Sequence, residues 1–300
     1  MPNTPMTAPP LSQPVPHSVG LNRPTLALPQ DACDSHMHIF DPRFAASSHW
    51  KRQPPRAEVG AYRLLQQRLG TARTVIVNPS TYGTDNACTL DALARLGERA
   101  RGVAVVDQDV ADAELDRLAA HRVCGLRVNF VTPQSWGTTT SQMLVTLARK
   151  AARLGWHIQV FAQPEQLVEL EPVLAALPVP LVIDHIGRID PAGGVDGEAY
   201  GAMRRLLDAG NTWVKLSGVY MRSRDGAPAY GDCAPLGRAL VEAAPERLVW
   251  GSDWPHTTEV AGTVNDADLA DVLMSWCPNV AVRDRILVDN PAKLYGFAAG

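Results

Sequence analysis

No stretch of this 300-residue chain is apolar over anything like the roughly 18 residues that a membrane-crossing helix requires. Neither sign of charge dominates. The 28 Lys and Arg stand against 31 Asp and Glu, a formal net charge of −3, which leaves no electrostatic case for nucleic acid or an anionic membrane surface as partner. Paired cysteines are missing too. Cys33, Cys88, Cys124, Cys233 and Cys277 are scattered without a CxxC spacing, and an odd, unpatterned set suits a reducing compartment better than a disulfide framework. The expected location is therefore cytoplasmic. No GxGxxG follows the first candidate strand, so the dinucleotide-binding fingerprint is absent.

What is present divides in two. Residues 1–30 hold eight of the 24 prolines and one charged residue, Arg23. They lack the basic start and apolar core of a secretory signal. They read as an extended arm, partly disordered or laid along the surface, and an arm of this kind is suited to packing on a second subunit in a homo-oligomer. Residues 31–300 read as one domain.

In that domain short β-branched runs alternate with amphipathic segments. Candidate strands lie at "CDSHMHIF", "TVIVNPS", "GVAVVD", "GLRVNF", "HIQVFA", "LVIDHIG", "WVKLSG" and "LVWGSDW". Between them, "TLDALARLGERA" is expected to place Leu90, Leu93, Ala94 and Gly97 on one helical face, and "SQMLVTLARKAARLG" does so with Leu144, Leu147, Ala151 and Leu154. Eight strand–helix units over this length predict an α/β protein, a (β/α)8 TIM barrel preceded by the proline-rich arm, with an open doubly wound sheet as the alternative. The segment Asp41 to Glu58, with Trp50 in it, is expected to fold over the barrel mouth. "MRSRDGAPAYGD" is expected to be a second mobile loop.

Reacting groups in such a barrel belong at the carboxyl ends of the strands. The polar residues there are His36 and His38, then Asn78 and Ser80, Arg127 and Asn129, Asp184 to Arg188 with His185, Lys215 and Ser217, and Asp253. Each has a bland reading. A lone strand histidine is more often a packing residue than a catalyst. Arg127 serves equally well as an internal salt-bridge partner, and Asp253 as the cap of the following helix. Trp250 and Trp254 read as packing, and His17, His49, His121 and His157 as structural. His256 is open to either reading.

The ordered set carries more than its members. HxH on the first strand, His185 after the sixth and Asp253 after the eighth resemble the amidohydrolase superfamily. "DSHMHIFDP", "VIVNPSTYGTDN", "GVAVVD", "GLRVNF", "LVIDHIGR", "ERLVWGSDWPH" and "DNPAKLYGF" extend the similarity from about Asp31 to Phe297, specifically to the 2-pyrone-4,6-dicarboxylate lactonase group. The resemblance implies a hydrolase that opens a lactone, with His36, His38 and His185 polarising the carbonyl and Asp253 activating water. It also implies that Arg127 and Arg188 grip substrate carboxylates and that Ser80 touches substrate. Asn78, Tyr82, Tyr220 and Arg222 join them as candidate substrate contacts. The chain departs from the group where Val131-Thr132-Pro133 replaces a further Arg and Phe161 replaces a tyrosine. Fewer anchors predict a related small anionic lactone, muconolactone-like or a sugar-acid lactone, rather than the pyrone dicarboxylate.

A two-metal centre is not expected, because Arg127 has no lone pair to offer and the fifth strand ends in Phe161 and Ala162. A single zinc held by His36, His38 and Asp253, with His185 nearby, is chemically open. The resembled lactonases work without metal, and no cofactor is the expectation. Two other readings stand beside this one: a mononuclear zinc-dependent hydrolase or decarboxylase of the same superfamily, and a non-catalytic barrel that binds a small anion.

Overall fold

The computed structural model describes residues 13–131 and 139–298. The first twelve residues of the arm, and Thr132-Pro133 after the fourth strand, lie outside them. Eight parallel strands follow in chain order: β1 (Cys33–Met37), β2 (Arg73–Val77), β3 (Ala100–Ala104), β4 (Val123–Asn129), β5 (His157–Phe161), β6 (Leu181–Ile183), β7 (Thr212–Leu216) and β8 (Leu248–Trp250). Beyond β8 the chain bonds back to β1, with Asp253 N–H donating to the His36 carbonyl (2.8 Å) and His38 N–H to the Trp254 carbonyl (2.9 Å). These bonds close the barrel. Gly251 permits the closure, because a Cβ there would lie 2.7 Å from both the backbone nitrogen and the Cβ of His36.

The intervening helices are α1 (Val59–Leu69), α2 (Ala87–Leu96), α3 (Asp112–Ala120), α4 (Ser141–Arg153), α5 (Pro164–Ala175), α6 (Glu198–Asp208), α7 (Ala234–Ala243) and α8 (Asp266–Trp276). In α4 the Thr140 hydroxyl accepts from Met143 N–H, Lys150 and Arg153 sit in the last turn, and Met143, Leu144, Leu147, Ala148 and Ala151 form the buried stripe. In α2 the buried face is Cys88, Thr89, Leu90, Ala92 and Leu93. Ala94 is exposed, and Gly97 caps the helix at φ +76° instead of lining its buried face.

Alternation along the strands separates two cores. Ile76, Leu126, Ile158, Ile183 and Val214 pack outward with the helices. Cys33, Val75, Val77, Val103, Val182, Trp213 and Val249 fill the barrel, closed below by Tyr295 and Phe297 of the C-terminal segment. Arg73 and Arg101 lie over the Phe297 ring. The described part of the arm is laid on its own barrel. Arg68 of α1, fully buried, donates to the carbonyls of Asn22 and Val19, and Trp254 Nε1–H donates to the Pro16 carbonyl. All five cysteines are free thiols, and among the described residues no helix is long and apolar enough to cross a membrane.

Candidate active site

Strict alternation from Cys33, which points into the barrel, would send residues 36 and 38 outward. The pairing of β1 with β2 shifts register between Asp34 and Met37. That irregularity reverses the phase: Met37 joins the outer core, while His36 and His38 turn inward. Their rings meet edge to face with centroids 5.0 Å apart and Nε2 atoms 3.3 Å apart.

His185 and Asp253 arrive on strained turns. β6 ends at Ile183, and His185 follows in a short turn with φ +50°. Asp253 sits at φ +60° and His256 at φ +59°, conformations that non-glycine residues seldom adopt and that concentrate at functional sites. Gly218 makes room for His185, since a Cβ there would lie 2.8 Å from its Nδ1. Asp253 does not cap a helix; Asn265 is the cap of α8. Asp253 Oδ1 instead lies 3.4 Å from His38 Nε2, 3.6 Å from His36 Nε2 and 3.9 Å from His185 Nε2. Its Oδ2 accepts a 2.6 Å bond from the Tyr220 hydroxyl. Burial alone would raise the Asp253 pKa, but the imidazoles of His185, His38 and His36 outweigh it and hold the carboxyl below the usual range.

A second layer of polar groups lies against these residues. Lys215 Nζ, fully buried, donates to Gln159 Oε1 (2.7 Å) and lies 3.2 Å from His36 Nδ1. Asp184 Oδ2 accepts from Arg127 Nε (3.1 Å) and Gln159 Nε2 (3.0 Å). Burial pushes the Lys215 pKa down to about 8, with Asp184 pulling the other way. Burial, helped by the Lys215 charge, also drives His36 well below the usual histidine range, so His36 is neutral at pH 7. Burial is the largest single effect on Asp184 and would raise its pKa, but His36, Lys215 and Arg127 together outweigh it and hold the carboxyl well below its usual range.

Protons on the rings follow from their partners. His38 Nδ1 lies 2.8 Å from the Val77 carbonyl, which only accepts, so that nitrogen carries hydrogen. His36 Nδ1 faces the Lys215 ammonium, while Asp184 Oδ1 at 3.2 Å makes no hydrogen bond to it. With Lys215 donating, His36 bears its proton on Nε2. His185 Nδ1 is 2.9 Å from the Ser217 hydroxyl.

A cavity of about 300 Å³ opens over this cluster. His38, His185, Asp253, Arg127, Ser80 and Asn129 supply polar lining, and Phe40, Pro79, Phe161 and Met221 apolar lining. The segment after β1 contributes Trp50 and Arg52, as a covering loop should, whereas the segment after β7 contributes only Met221. His17 of the arm also lines the cavity, with its Nε2 2.8 Å from the Arg56 carbonyl; composition offered no signal for that.

The remaining predicted contacts lie elsewhere. Asn78 follows Ile76 to the outer side of the barrel, where its amide donates to the Gly83 and Asp85 carbonyls and accepts from Thr89. The Tyr82 hydroxyl accepts from Asp41 N–H. Neither lines the cavity. Arg188 and Arg222 also stand outside its lining, both donating to Gln163 Oε1, and Arg188 shares the Phe161 ring with Arg127. Three guanidinium groups thus gather beside Phe161 and Gln163. Sequence reasoning assigned no role to Lys215, Ser217, Asp184 or Gln159. The first two share a face by their spacing of two, and Asp184 precedes His185. Gln159 lies mid-strand, where attention to strand ends does not reach.

His36, His185 and Asp253 offer ligand atoms within 4.8 Å of one another, and His38 Nε2 lies beside them. This donor set fits a single zinc ion. The buried Lys215 ammonium weighs against filling it, since donation to Nδ1 puts a proton on the His36 nitrogen that would bind metal.

The chain is 35% identical to 4-sulfomuconolactone hydrolase of Rhizobium radiobacter over 276 residues, 91% of this chain and 92% of that one. It is 35% identical to 2-pyrone-4,6-dicarboxylate hydrolase of Comamonas testosteroni (91% and 93% covered) and 33% identical to D-galactarolactone isomerase of Agrobacterium fabrum (91% and 93% covered). The amidohydrolase family profile matches residues 33–297, the barrel from its first strand to the segment that closes its base. The chain belongs to the amidohydrolase family.

Proposed function

We propose that this protein hydrolyses a small lactone that carries a carboxylate or another acidic group. The observation that carries the reading is the position of Asp253 Oδ1, 3.4 to 3.9 Å from three imidazole nitrogens at the wall of an otherwise partly apolar cavity. The lactone carbonyl oxygen takes the place facing His36 and His185, whose Nε2–H groups stabilise the oxyanion as it forms. The His185 donor requires the Ser217 hydroxyl to donate to Nδ1. Water attacks the carbonyl carbon and passes a proton to Asp253 Oδ1. A carboxylate held low is a weak base, but the water proton becomes acidic as the C–O bond forms, so the transfer is favourable in the transition state. The tetrahedral intermediate then expels the ring oxygen, which takes the proton from Asp253. One new carboxyl group results, and its ionisation releases one proton to solvent.

The acidic substituent is held by Arg127, which faces the cavity with its Nε fixed on Asp184, assisted by Ser80 and Asn129. Arg188 and Arg222 add positive potential behind Phe161. Two of the relatives are named for hydrolysis of acidic lactones, which supports this substrate class.

Two variants of the reading have specific support. The relative named as a lactone isomerase suggests that a substrate hydroxyl can replace water as nucleophile, which would change ring size without releasing a proton. The convergence of ligand atoms supports a zinc-assisted form. Zinc bound to His36, His38, His185 and Asp253 would supply Lewis-acid polarisation of the carbonyl.

A panel of small acidic lactones at neutral pH separates these. Metal-free hydrolysis predicts one proton released and one water added per lactone, unchanged after dialysis against chelator. An isomeric product of unchanged mass would favour the isomerase form. Loss of turnover on chelation, restored by zinc, would overturn the metal-free form. No reaction with any acidic lactone would overturn the proposal.

A further inference from the structure

Asp253 is linked to a chain of buried groups that the mechanism above does not use. The Tyr220 hydroxyl lies 2.6 Å from Asp253 Oδ2 and 3.1 Å from His256 Nδ1, and His256 Nε2 lies 3.1 Å from Asp266 Oδ2. The Tyr220 and His256 rings meet at 90° with centroids 5.3 Å apart. Asp266 is fully buried, its backbone N–H donates to Ser18 Oγ of the arm, and its Oδ1 has no hydrogen-bond partner. Three separate segments converge here: the loop after β7 brings Tyr220, the loop after β8 brings Asp253 and His256, and the first turn of α8 brings Asp266.

We propose that Asp266 and His256 form a positioning pair that holds the Tyr220 hydroxyl proton on Asp253 Oδ2, so that Oδ1 alone is left to meet the attacking water. The catalytic consequence rests on the lactonase reading; the hydrogen-bond direction does not. A phenol has one proton to give. Asp253, as a carboxylate, has none, so at 2.6 Å the phenol must donate to it. The phenol oxygen can then only accept from His256, which requires hydrogen on Nδ1. The Asp266 carboxylate also only accepts, so Nε2 must carry hydrogen as well, and its charge balances that of the imidazolium which results. The burial of His256 would lower its pKa, but Asp266 outweighs it and raises it, in keeping with a ring that donates from both nitrogens. Were Nδ1 bare, the tyrosine proton would have an alternative acceptor, and its lone pair would face Oδ2 at short range. The carboxylate would lose its anchor and rotate among the imidazoles.

The first test does not depend on turnover. Side-chain 15N NMR of the full-length protein at pH 7 should show hydrogen on Nδ1 of His256, identified by loss of the signal in His256→Asn. A bare Nδ1 overturns the proposal. The second test is kinetic, with a lactone that the wild type opens. His256→Leu should lower kcat about tenfold while leaving KM within about threefold, because the pair acts on the base and not on substrate. His256→Asn, whose amide can still donate to Tyr220, should recover most of the loss. In a Tyr220→Phe background, His256→Leu should cost no more than about twofold further, since the hydroxyl through which it acts is gone. An undiminished tenfold cost in that background, or a rise in KM in place of the fall in kcat, overturns the proposal. Should the leucine variant fail to fold, Asp266→Asn takes its place in the same cycle with the same expectations. A wild type that opens no lactone would defeat the functional reading, and the NMR result would still decide the hydrogen-bond direction.

Discussion

At the scale of single residues, the proposed chemistry depends on which nitrogen of each imidazole carries a proton, and Lys215 decides it for His36. Lys215→Met removes the donor from Nδ1 and leaves His36 free to donate from Nδ1 to Asp184 at 3.2 Å, taking the proton from the cavity side. Activity should fall by about 10²-fold, the scale of losing one oxyanion donor. The same variant reports on stability. The folded-state pKa of Lys215 is about 8, below its ordinary 10.5. The unfolded chain therefore holds more protons in that window, and the cost of burying the charge is fully present below about pH 8 and fades as pH rises toward 10.5. The stability of the wild type relative to Lys215→Met should thus rise across that window, by about 1–3 kcal/mol. Taking the difference cancels the buried thiols, whose raised pKa values act in the opposite sense. A flat difference would contradict the account of Lys215. Of the residues in this layer, Gln159 was illegible in the sequence because a mid-strand amide looks like any other polar residue until its neighbours on β4, β6 and β7 are known.

At the scale of elements, strand alternation explains both what was readable and what was not. The spacing of two places His36 and His38 on one face, and the structure has them together. Which face they share was not readable, because the register shift between Asp34 and Met37 reverses the alternation that Cys33 begins. Asn78 shows the converse. It sits one step past the end of β2 on the side of Ile76, and no local pattern says that Ser80, two residues on, turns back toward the cavity. The arm illustrates a third case. Composition marked it as extended, but its docking under Arg68 and its delivery of His17 to the cavity rest on contacts with α1, the segment after β1 and the loop after β8. Barrel closure yields a direct test. Gly251→Ala places a methyl 2.7 Å from the His36 backbone, where no flexible side chain can yield. It should destabilise the fold by about 1–3 kcal/mol and lower turnover by moving His36. Unfolding by denaturant measures the first effect, and a variant as stable and active as the wild type would show that β8 does not bear on His36 through this contact.

At the scale of the whole molecule, the barrel and the candidate site at its mouth were legible because the repeat of eight strand–helix units fixes where strand ends point, so that residues far apart in sequence could be assigned to one place. His38, Arg127, His185 and Asp253 are separated by up to 215 positions, the span from 38 to 253, yet line one cavity, with His36 buried beside them. The buried pairs beneath and beside them, Lys215 with Asp184 and His256 with Asp266, depend on side-chain packing that periodicity does not encode. The central claim is that Asp253 Oδ1 receives the proton of the attacking water inside this imidazole cluster. Its most direct test is the kcat of Asp253→Asn on an acidic lactone that the wild type opens, followed by proton release. The account predicts a fall of about 10³-fold or more with KM changed by less than about threefold, because the amide cannot accept the proton but fills the same space. Turnover within about tenfold of the wild type would contradict it.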